Sequence, residues 1–282
     1  MAVIQDTQIN ATKQDRIASV AQKELKENAS LLGYFMDVSA FAVKGAKSIS
    51  FPKLTSFTVD AKASGTAATP KVITSSTDKL DLDISNIISW VVDPNDEIQS
   101  TLDWELATVS LASSAHGRAM NAELVAELKS VRTQVAATGD ISKANILEMR
   151  EYIRKNNGNL DQTTLFVAVD QMTSLLGIAE FSQAHIYGAA AVQSGVIGKV
   201  YGIPVVETNH LADGEFLMAE KSGCAYGFQK GPQYGEQPAN EYGVGAKLRV
   251  MDLLAGVKGL QIAVGTAAAG KSALVIGFKD PA

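Results

Sequence analysis

Three stretches of the chain place apolar residues at the three- and four-residue spacing of an amphipathic helix. They cover residues 16–32, 93–131 and 142–155. The second stretch meets no strong helix breaker before Gly117 and resumes the same spacing after it. We therefore expect it to form a long helix of ~30 Å or more, at ~1.5 Å per residue.

Local signals predict where the helices begin and end. Asp93, Ser142 and Asp170 belong to the residue types whose side chains accept the free amides of a first helical turn. Pro94 suits the first helical position, and the Asn-Asn-Gly run that ends at Gly158 closes the helix before it. A short helix is expected after Asp170.

Alternation of polar and apolar residues predicts a long β-hairpin in the first third of the chain. Residues 47–51 alternate, residues 80–84 alternate again on the way back, and residues 87–92 continue the return strand. Residues 60–71, between the arms, carry no apolar side chain larger than alanine, so this tip has no face to bury. We expect an extended hairpin that needs a partner; a disordered Ser/Thr/Ala-rich surface loop is the alternative.

Short strands and glycine turns dominate the middle of the chain. Residues 164–169 form a continuous apolar run typical of a buried strand. Gly195, Gly198 and Gly202 then bracket two short β-branched runs, which indicates tight turns between short strands. The second run, residues 202–206, has the sequence Gly-Ile-Pro-Val-Val.

The last third predicts further strands around one loop. Residues 214–219 indicate a strand that turns at Ser222-Gly223. Residues 227–245 are rich in Gly, Gln, Pro and Tyr, so we expect a long surface loop there. Residues 247–254 and 260–264 supply closing strands.

Composition and charge narrow the class of protein. The chain has 282 residues, enough for a sizeable core in one or two domains. Its net charge of −5 argues against a protein whose main task is to grip nucleic acid phosphates. Cys224 is the only cysteine, so no disulfide forms within the chain. The first residues lack a signal-peptide pattern, and no apolar run approaches the ~20 residues of a membrane span, so we expect a soluble intracellular product.

The order of these elements resembles the major capsid proteins of tailed bacteriophages, whose fold is of the Hong Kong 97 type. The Gly-Ile-Pro-Val-Val strand at residues 202–206, the preceding small-residue segment and the hairpin followed by a long helix carry the resemblance. It covers roughly residues 15–282 and rests on the order of elements more than on an invariant motif.

The resemblance implies an α+β fold with five parts. They are an N-terminal arm with an amphipathic helix (1–46), an E-loop hairpin with flanking P-domain strands (47–92), a spine helix region of the P-domain (93–135), an A-domain (136–225), and closing strands of the P-domain and A-domain (226–282).

One stretch matches a nucleotide-binding motif letter for letter. Gly265, Gly270, Lys271 and Ser272 satisfy G-x-x-x-x-G-K-[ST], in which backbone amides and the lysine hold phosphates. The motif requires a helix after the serine, but the residues that follow resemble a strand, and only ten residues remain. We therefore interpret the match as a chance feature of a hairpin turn between Val264 and Ala273.

Other chemistry has little support in the sequence. His116, His185 and His210 lack metal-ligand spacing, and no flanking pattern pairs them with Cys224, so we predict no metal, no cofactor and no catalytic residue. Asp81 and Asp83 share a strand face. Paired carboxylates at such a place more often mark a solvated edge or a subunit contact than acid–base catalysis.

The hairpin tip is the predicted place of subunit contact. Its candidate residues are Lys62, Ser64, Gly65, Thr66 and Lys71. Some relatives join subunits through a lysine–asparagine isopeptide bond, for which Lys62 and Lys71 are possible donors, but the asparagine and the catalytic acid have no match here.

The resemblance implies a non-enzymatic head protein that assembles into pentamers and hexamers of an icosahedral shell around double-stranded DNA. The expected partners are a separate scaffolding protein and a portal, and no membrane is expected to take part. The shell is expected to form in the host cytoplasm. Three alternatives remain open at this point: an encapsulin-type nanocompartment shell, a P-loop nucleotide-binding protein, and a soluble α/β binding module with a flexible hairpin.

Overall fold

In the residues that it describes, the computed structural model combines two β-sheets, a separate β-hairpin and three α-helices. It describes residues 31–54, 61, 64, 70–72, 75–92, 104–136, 140–178, 198–261 and 270–279. The helices are α1 (Trp104–Val131), α2 (Lys143–Lys155) and α3 (Val169–Gly177). The strands are β1 (Met36–Asp37), β2 (Ser48–Leu54), β3 (Ser75–Asp81), β4 (Ile84–Val92), β5 (Thr133–Ala136), β6 (Thr163–Val167), β7 (Lys199–Val200), β8 (Ile203–Glu207), β9 (Glu215–Glu220), β10 (Cys224–Pro238), β11 (Lys247–Gly259) and β12 (Val275–Lys279).

The long helix predicted in the second amphipathic stretch is α1, which has 28 residues and spans about 40 Å at ~1.5 Å per residue. It continues through Gly117, whose cost is offset by packing on both sides of it. The buried positions Val109, Met120 and Leu124 face the first sheet. The predicted start at Asp93 and Pro94 lies outside the described residues.

The first sheet has the strand order β1-β10-β11-β4, and α1 packs on one face of it. Its centre is the long antiparallel pair of β10 and β11. The predicted surface loop at residues 227–245 is wrong, since most of it belongs to β10. Two register shifts between Phe228 and Gln233 place Pro232 where its missing amide breaks no ladder bond, and pairing with β11 satisfies the glycine-rich backbone.

The second sheet has the order β5-β12-β9-β6-β8-β7 and packs against α2 and α3. As predicted, a buried strand (β6) follows α2, and the turn at Tyr201-Gly202 joins two short strands. Both turn residues have positive φ angles, 49° and 85°, which explains the glycine at the second position. The sequence did not predict β5, which is only four residues long and pairs in parallel with β12.

Helix caps agree with the sequence at one site and differ at another. Ser142 forms a capping box with Asn145 at the start of α2, as its residue type predicts. Asp170 does not cap α3, because the N-cap is Ala168. The Asp170 carboxylate instead accepts a hydrogen bond from the Gly214 amide (2.8 Å), and this bond fixes the turn before β9.

The predicted hairpin is present as the two-stranded sheet of β2 and β3, paired from Ser48–Asp81 to Leu54–Ser75. The predicted return strand is divided at Leu82-Asp83, however. Residues before this point pair with β2, and residues after it join the first sheet as β4. Leu80 and Leu82 are both buried, so the chain changes direction where these two side chains enter the core.

Two other predicted elements are only partly within the described residues. The predicted helix at residues 16–32 lies outside the described residues except for Leu31 and Leu32, which form a turn buried in the core. Phe35 stacks on Phe166 at 5.5 Å, which ties this segment to β6. Of the predicted strand at residues 260–264, Leu260 and Gln261 follow the end of β11 without strand structure, and the rest is outside the described residues.

Candidate assembly surfaces

The β2–β3 hairpin packs Ile49 and Phe51 of β2 against the core around Leu80, but it leaves most of β3 exposed. On β3, Leu80 alone is buried and every other side chain is partly or fully exposed. The two strands pair with each other and with no third strand in the described part of the chain. Since a two-stranded ribbon is marginally stable in water, the exposed part of this hairpin has most to gain from a partner.

The root of the hairpin is held firmly. Lys53 forms an ion pair with Asp78 across the two strands, and Lys53 also donates a hydrogen bond to the carbonyl of Gln261. Asp78 accepts a hydrogen bond from the Gln261 amide at 2.9 Å. At the other end of the paired strands β11 runs directly under β3, because a Cβ atom at Gly256 would overlap the carbonyl of Asp81. The described strands of the hairpin are therefore anchored to the rest of the protein between Asp78 and Asp81, whereas Ser75, Ser76 and Thr77 of β3 are exposed.

The predicted contact residues at the hairpin tip are only partly described. Lys62, Gly65 and Thr66 lie outside the described residues. Ser64 and Lys71 are exposed. Val72, next to Lys71, is 88% exposed, which adds an apolar side chain to this surface that the sequence argument overlooked.

A second exposed surface is the turn between β10 and β11. The Ala239 amide bonds to the Ala246 carbonyl (2.9 Å), and Gly243 and Gly245 adopt positive φ angles that L residues rarely take. This turn holds Val244 at 99% exposure beside the exposed Tyr242. A rigid turn that presents apolar side chains to water is typical of a contact surface. The glycine-rich composition that predicted a loop contained this turn, but its position depends on the strands below it.

Exposed apolar side chains also lie on the first sheet and on the helix α1 that packs against it. Ile87 is 69% exposed on the sheet face that turns away from α1. Leu111 is 68% exposed on the outer side of α1. Together with the turn and the hairpin, these positions place exposed apolar side chains on several separate parts of the surface.

A buried charge cluster joins α1 to the second sheet. The Glu215 carboxylate on β9 is 2% exposed and pairs with Lys129 and with Arg132 (3.2 Å) at the end of α1. It also accepts a hydrogen bond from the Ala212 amide at 3.2 Å. Burial raises the pKa of Glu215, but the bonds from Lys129 and Ala212 and the two positive charges outweigh it and hold the pKa below its usual value. The carboxylate is therefore ionised at neutral pH and connects the end of α1 to the second sheet.

The residues of the nucleotide-binding motif have a structural role at the same end of α1. Lys271 donates to the carbonyl of Ser130 (2.9 Å), and the Ser272 amide donates to the carbonyl of Val131 (2.7 Å). Both bonds satisfy carbonyls that a helix leaves free at its C-terminus. Gly270 is in a turn, Gly265 lies outside the described residues, and the strand β12 follows Ser272 as the sequence predicted.

The remaining candidate side chains that the structure describes are not grouped into a reactive site. Cys224 is buried, and burial raises the pKa of its thiol. His116 is buried between α1 and β11, and burial lowers the pKa of its imidazole. Within the described ranges, no three His, Cys, Asp or Glu residues lie close enough to hold a metal ion. His185 lies outside those ranges.

No helix in the part of the chain that the structure describes is long and apolar enough to span a bilayer.

Comparison with known proteins shows the family. A family model described as phage capsid protein matches residues 22–231, and the chain therefore belongs to the phage capsid protein family. No curated protein matches the sequence.

Solved structures show the same fold at low sequence identity. One from Mycobacterium phage Che8 has a TM-score of 0.70 and 19% identity, covering 85% of this chain and 86% of its own. The capsid of cyanophage P-SCSP1u has a TM-score of 0.68 and 14% identity, covering 88% and 86%. A virus-like particle from Pyrococcus furiosus has a TM-score of 0.62 and 8% identity, covering 95% and 99%.

These findings confirm the predicted fold and class of protein. The chain is a structural capsid protein of the Hong Kong 97 type, located in the virion capsid, and its function involves association with other copies of itself. The family match favours the phage capsid over the encapsulin alternative, because the similarity to the Pyrococcus particle extends to the fold alone.

Proposed function

We propose that this protein is the major head subunit of a tailed phage and forms the pentamers and hexamers of an icosahedral shell around double-stranded DNA. A separate scaffolding protein and a portal assist assembly in the host cytoplasm. The observation that carries this proposal is the β2–β3 hairpin, which is anchored at Lys53 and Asp78 but leaves every side chain of β3 except Leu80 partly or fully exposed.

The two sheets support an assignment of parts. We assign the first sheet with α1 to the P-domain and the second sheet with α2 and α3 to the A-domain. The boundaries expected from the sequence (47–92, 93–135, 136–225 and 226–282) are kept, except that β1 joins the first sheet and β5 joins the second. Residues 226–282 serve both parts, since β11 belongs to the first sheet and β12 to the second. Residues 1–46 are assigned to the arm.

Energetics favour completion of the hairpin by a neighbouring copy. A stable protein contact buries ~1,200–2,000 Å² in total. The hairpin, the β10–β11 turn and the apolar positions Ile87 and Leu111 supply separate contributions. We infer that each subunit makes several contacts, with Ser64, Lys71 and Val72 on one of them.

The charge of the protein suits a container rather than a DNA-binding protein. Because its net charge is −5, the chain has no excess of positive charge with which to displace counterions from DNA. The shell would therefore enclose the packed DNA without sequence-specific contacts.

Electron microscopy tests the proposal. The chain is expressed with the neighbouring head genes of its phage, and closed shells that contain DNA after packaging are the expected result. Shells that enclose an enzyme instead would support the encapsulin alternative, and a stable ~30 kDa monomer under all conditions would contradict assembly altogether.

A shortened hairpin provides the sharper variant. Residues 55–74 are replaced by a two-residue Asn-Gly turn, which preserves β2, β3 and the Lys53–Asp78 root. We expect a folded subunit that forms no shells. As a matched control, Lys79→Ala removes one exposed side chain from β3 and is expected to assemble normally. Shells of normal stability from the shortened chain would overturn the role proposed for the hairpin.

A further inference from the structure

Two arginines on α2 line a pocket that the proposed shell function does not use. Arg150 and Arg154 are one helical turn apart, so their side chains lie on the same face. Opposite them are residues 159–161, which precede β6, and the Tyr201-Gly202 turn between β7 and β8. The pocket has a volume of about 250 Å³.

Neither guanidinium has an ion-pair partner in the described part of the chain, and the buried Nε of Arg150 has no hydrogen-bond partner there either. The neighbouring cation behaves differently, because Lys155 pairs with Glu151 at 2.7 Å. A buried charged donor without a partner is unfavourable, because it has lost its hydrogen bonds to water and gained none in the protein. The C-terminal end of α2 favours a positive charge at Arg154, but it does not satisfy the Nε of Arg150.

The shape and charge of the pocket restrict what could occupy it. Guanidinium groups bind oxyanions through paired N–H donors, and two of them match the charge of ~−1.5 to −2 that a phosphate carries near neutral pH. The volume is below the ~300–1,000 Å³ of sites for drug-sized ligands, so the occupant is small.

Asp161 also lines the pocket and makes no ion pair with either arginine. Its carboxylate opposes a fully deprotonated anion, but it can accept a hydrogen bond from an anion that retains a proton. Hydrogen phosphate has such a P–OH group at neutral pH, whereas sulfate has none.

We propose that the pocket between α2 and the β7–β8 turn binds a hydrogen phosphate ion. Arg150 and Arg154 bind its oxygens, and Asp161 accepts its remaining proton and selects phosphate over sulfate.

Calorimetric titration of the full chain with sodium phosphate at pH 7, at constant ionic strength in chloride, tests the site. We expect saturable binding that weakens about tenfold or more in Arg150→Gln and in Arg154→Gln, since each removes a charge-assisted hydrogen-bond donor. Lys155→Gln is the matched control, because it removes the same charge from the same helix outside the pocket, and it should leave the affinity unchanged within about twofold. Arg150→Lys retains the charge but loses the paired donors, so it should still weaken binding.

Sulfate tests whether the charge of Asp161 changes anion affinity in the expected direction. In the natural chain sulfate should bind more weakly than phosphate, and Asp161→Asn should strengthen sulfate binding several-fold because the opposing charge is gone. A purely structural role for Asp161 would not produce this change. Thermal unfolding of each variant without phosphate checks that the fold is intact.

Three results would overturn the proposal: no saturable phosphate binding by the natural chain, equal loss of binding in Lys155→Gln, or binding of duplex DNA through the two arginines while free phosphate does not bind. The titration uses the unassembled chain, so its outcome does not depend on whether shells form.

Discussion

The β2–β3 hairpin and the β10–β11 hairpin are built on the same antiparallel pairing but obtain their stability in opposite ways. The β10–β11 pair lies at the centre of a four-stranded sheet under α1, and Met251, Leu253 and Ala255 of β11 are buried there. The β2–β3 pair has two strands and a single buried side chain on β3, Leu80. The β10–β11 hairpin is stabilised within its own chain, whereas we propose that a neighbouring copy covers the β2–β3 hairpin.

The difference follows from what each hairpin packs against. Burial of apolar area is the main stabilising contribution in folding, and α1 provides that area for one hairpin only. Mutations in the body should therefore affect the stability of the subunit, and mutations in the projecting hairpin should affect assembly.

The largest effect on stability is expected at the charge cluster that unites the body. Glu215→Gln removes the charge that neutralises the buried Arg132, and we expect a loss of about 3–5 kcal/mol in the free energy of unfolding. Urea unfolding at pH 7 measures the change. Glu123→Gln, an exposed position on α1, is the control and should change it by less than about 0.5 kcal/mol.

The same carboxylate predicts a dependence on pH. Because its pKa is lowered in the folded state, Glu215 stabilises the protein above the ordinary glutamate pKa of about 4.3, and this contribution is lost as the pH falls through the folded-state pKa. The difference in stability between the natural chain and Glu215→Gln should therefore shrink below about pH 4. A constant difference from pH 7 to pH 3 would contradict this account.

The next largest effect is expected from the buried side of β11. Leu253 is 1% exposed in the core under α1, so Leu253→Ala should reduce the free energy of unfolding by about 2–5 kcal/mol. Ile87→Ala, on the opposite face of the same sheet, should cost less than about 0.5 kcal/mol. Comparable losses for both variants would show that both faces are covered in the single chain.

A smaller effect is expected where the two hairpins touch. Gly256→Ala introduces a Cβ atom against the Asp81 carbonyl and should destabilise the subunit by about 1–3 kcal/mol. The control is Gly235→Ala in β10, since nothing lies within 4 Å of a Cβ atom at that position. Chemical unfolding of both variants measures the contrast, and equal stabilities would mean that β3 does not rest on β11.

The smallest effect on stability is expected at the root of the projecting hairpin. Asp78→Asn weakens the partly exposed pair with Lys53 and should cost about 1 kcal/mol. Its effect on the yield of shells should be much larger, because the root sets the direction of the hairpin. Unfolding experiments and particle counts by electron microscopy measure the two effects. A loss of stability without any change in shell yield would show that this hairpin contributes to folding and not to assembly.

Much of the fold follows from local sequence. The period of 3.6 predicted α1, the Ser142 cap predicted the start of α2, and alternation predicted the β2–β3 hairpin. These elements were predictable because their signals lie within one or two turns or strands of chain. The strand after Ser272, which argued against nucleotide binding, is of the same kind.

Tertiary structure alone decided the rest. The glycine-rich residues 227–238 became a strand because β11 satisfies their backbone, and the break at Leu82-Asp83 assigned the two halves of one apparent strand to different sheets. Lys271 and Ser272 received a structural role because the chain returns to the end of α1. The pairing of β4 with β11 and the contact of Lys271 with Ser130 join residues more than a hundred positions apart, and the strand at residues 227–238 depends on pairing with a neighbouring strand. Hydrophobic periodicity carries no information about such pairing partners.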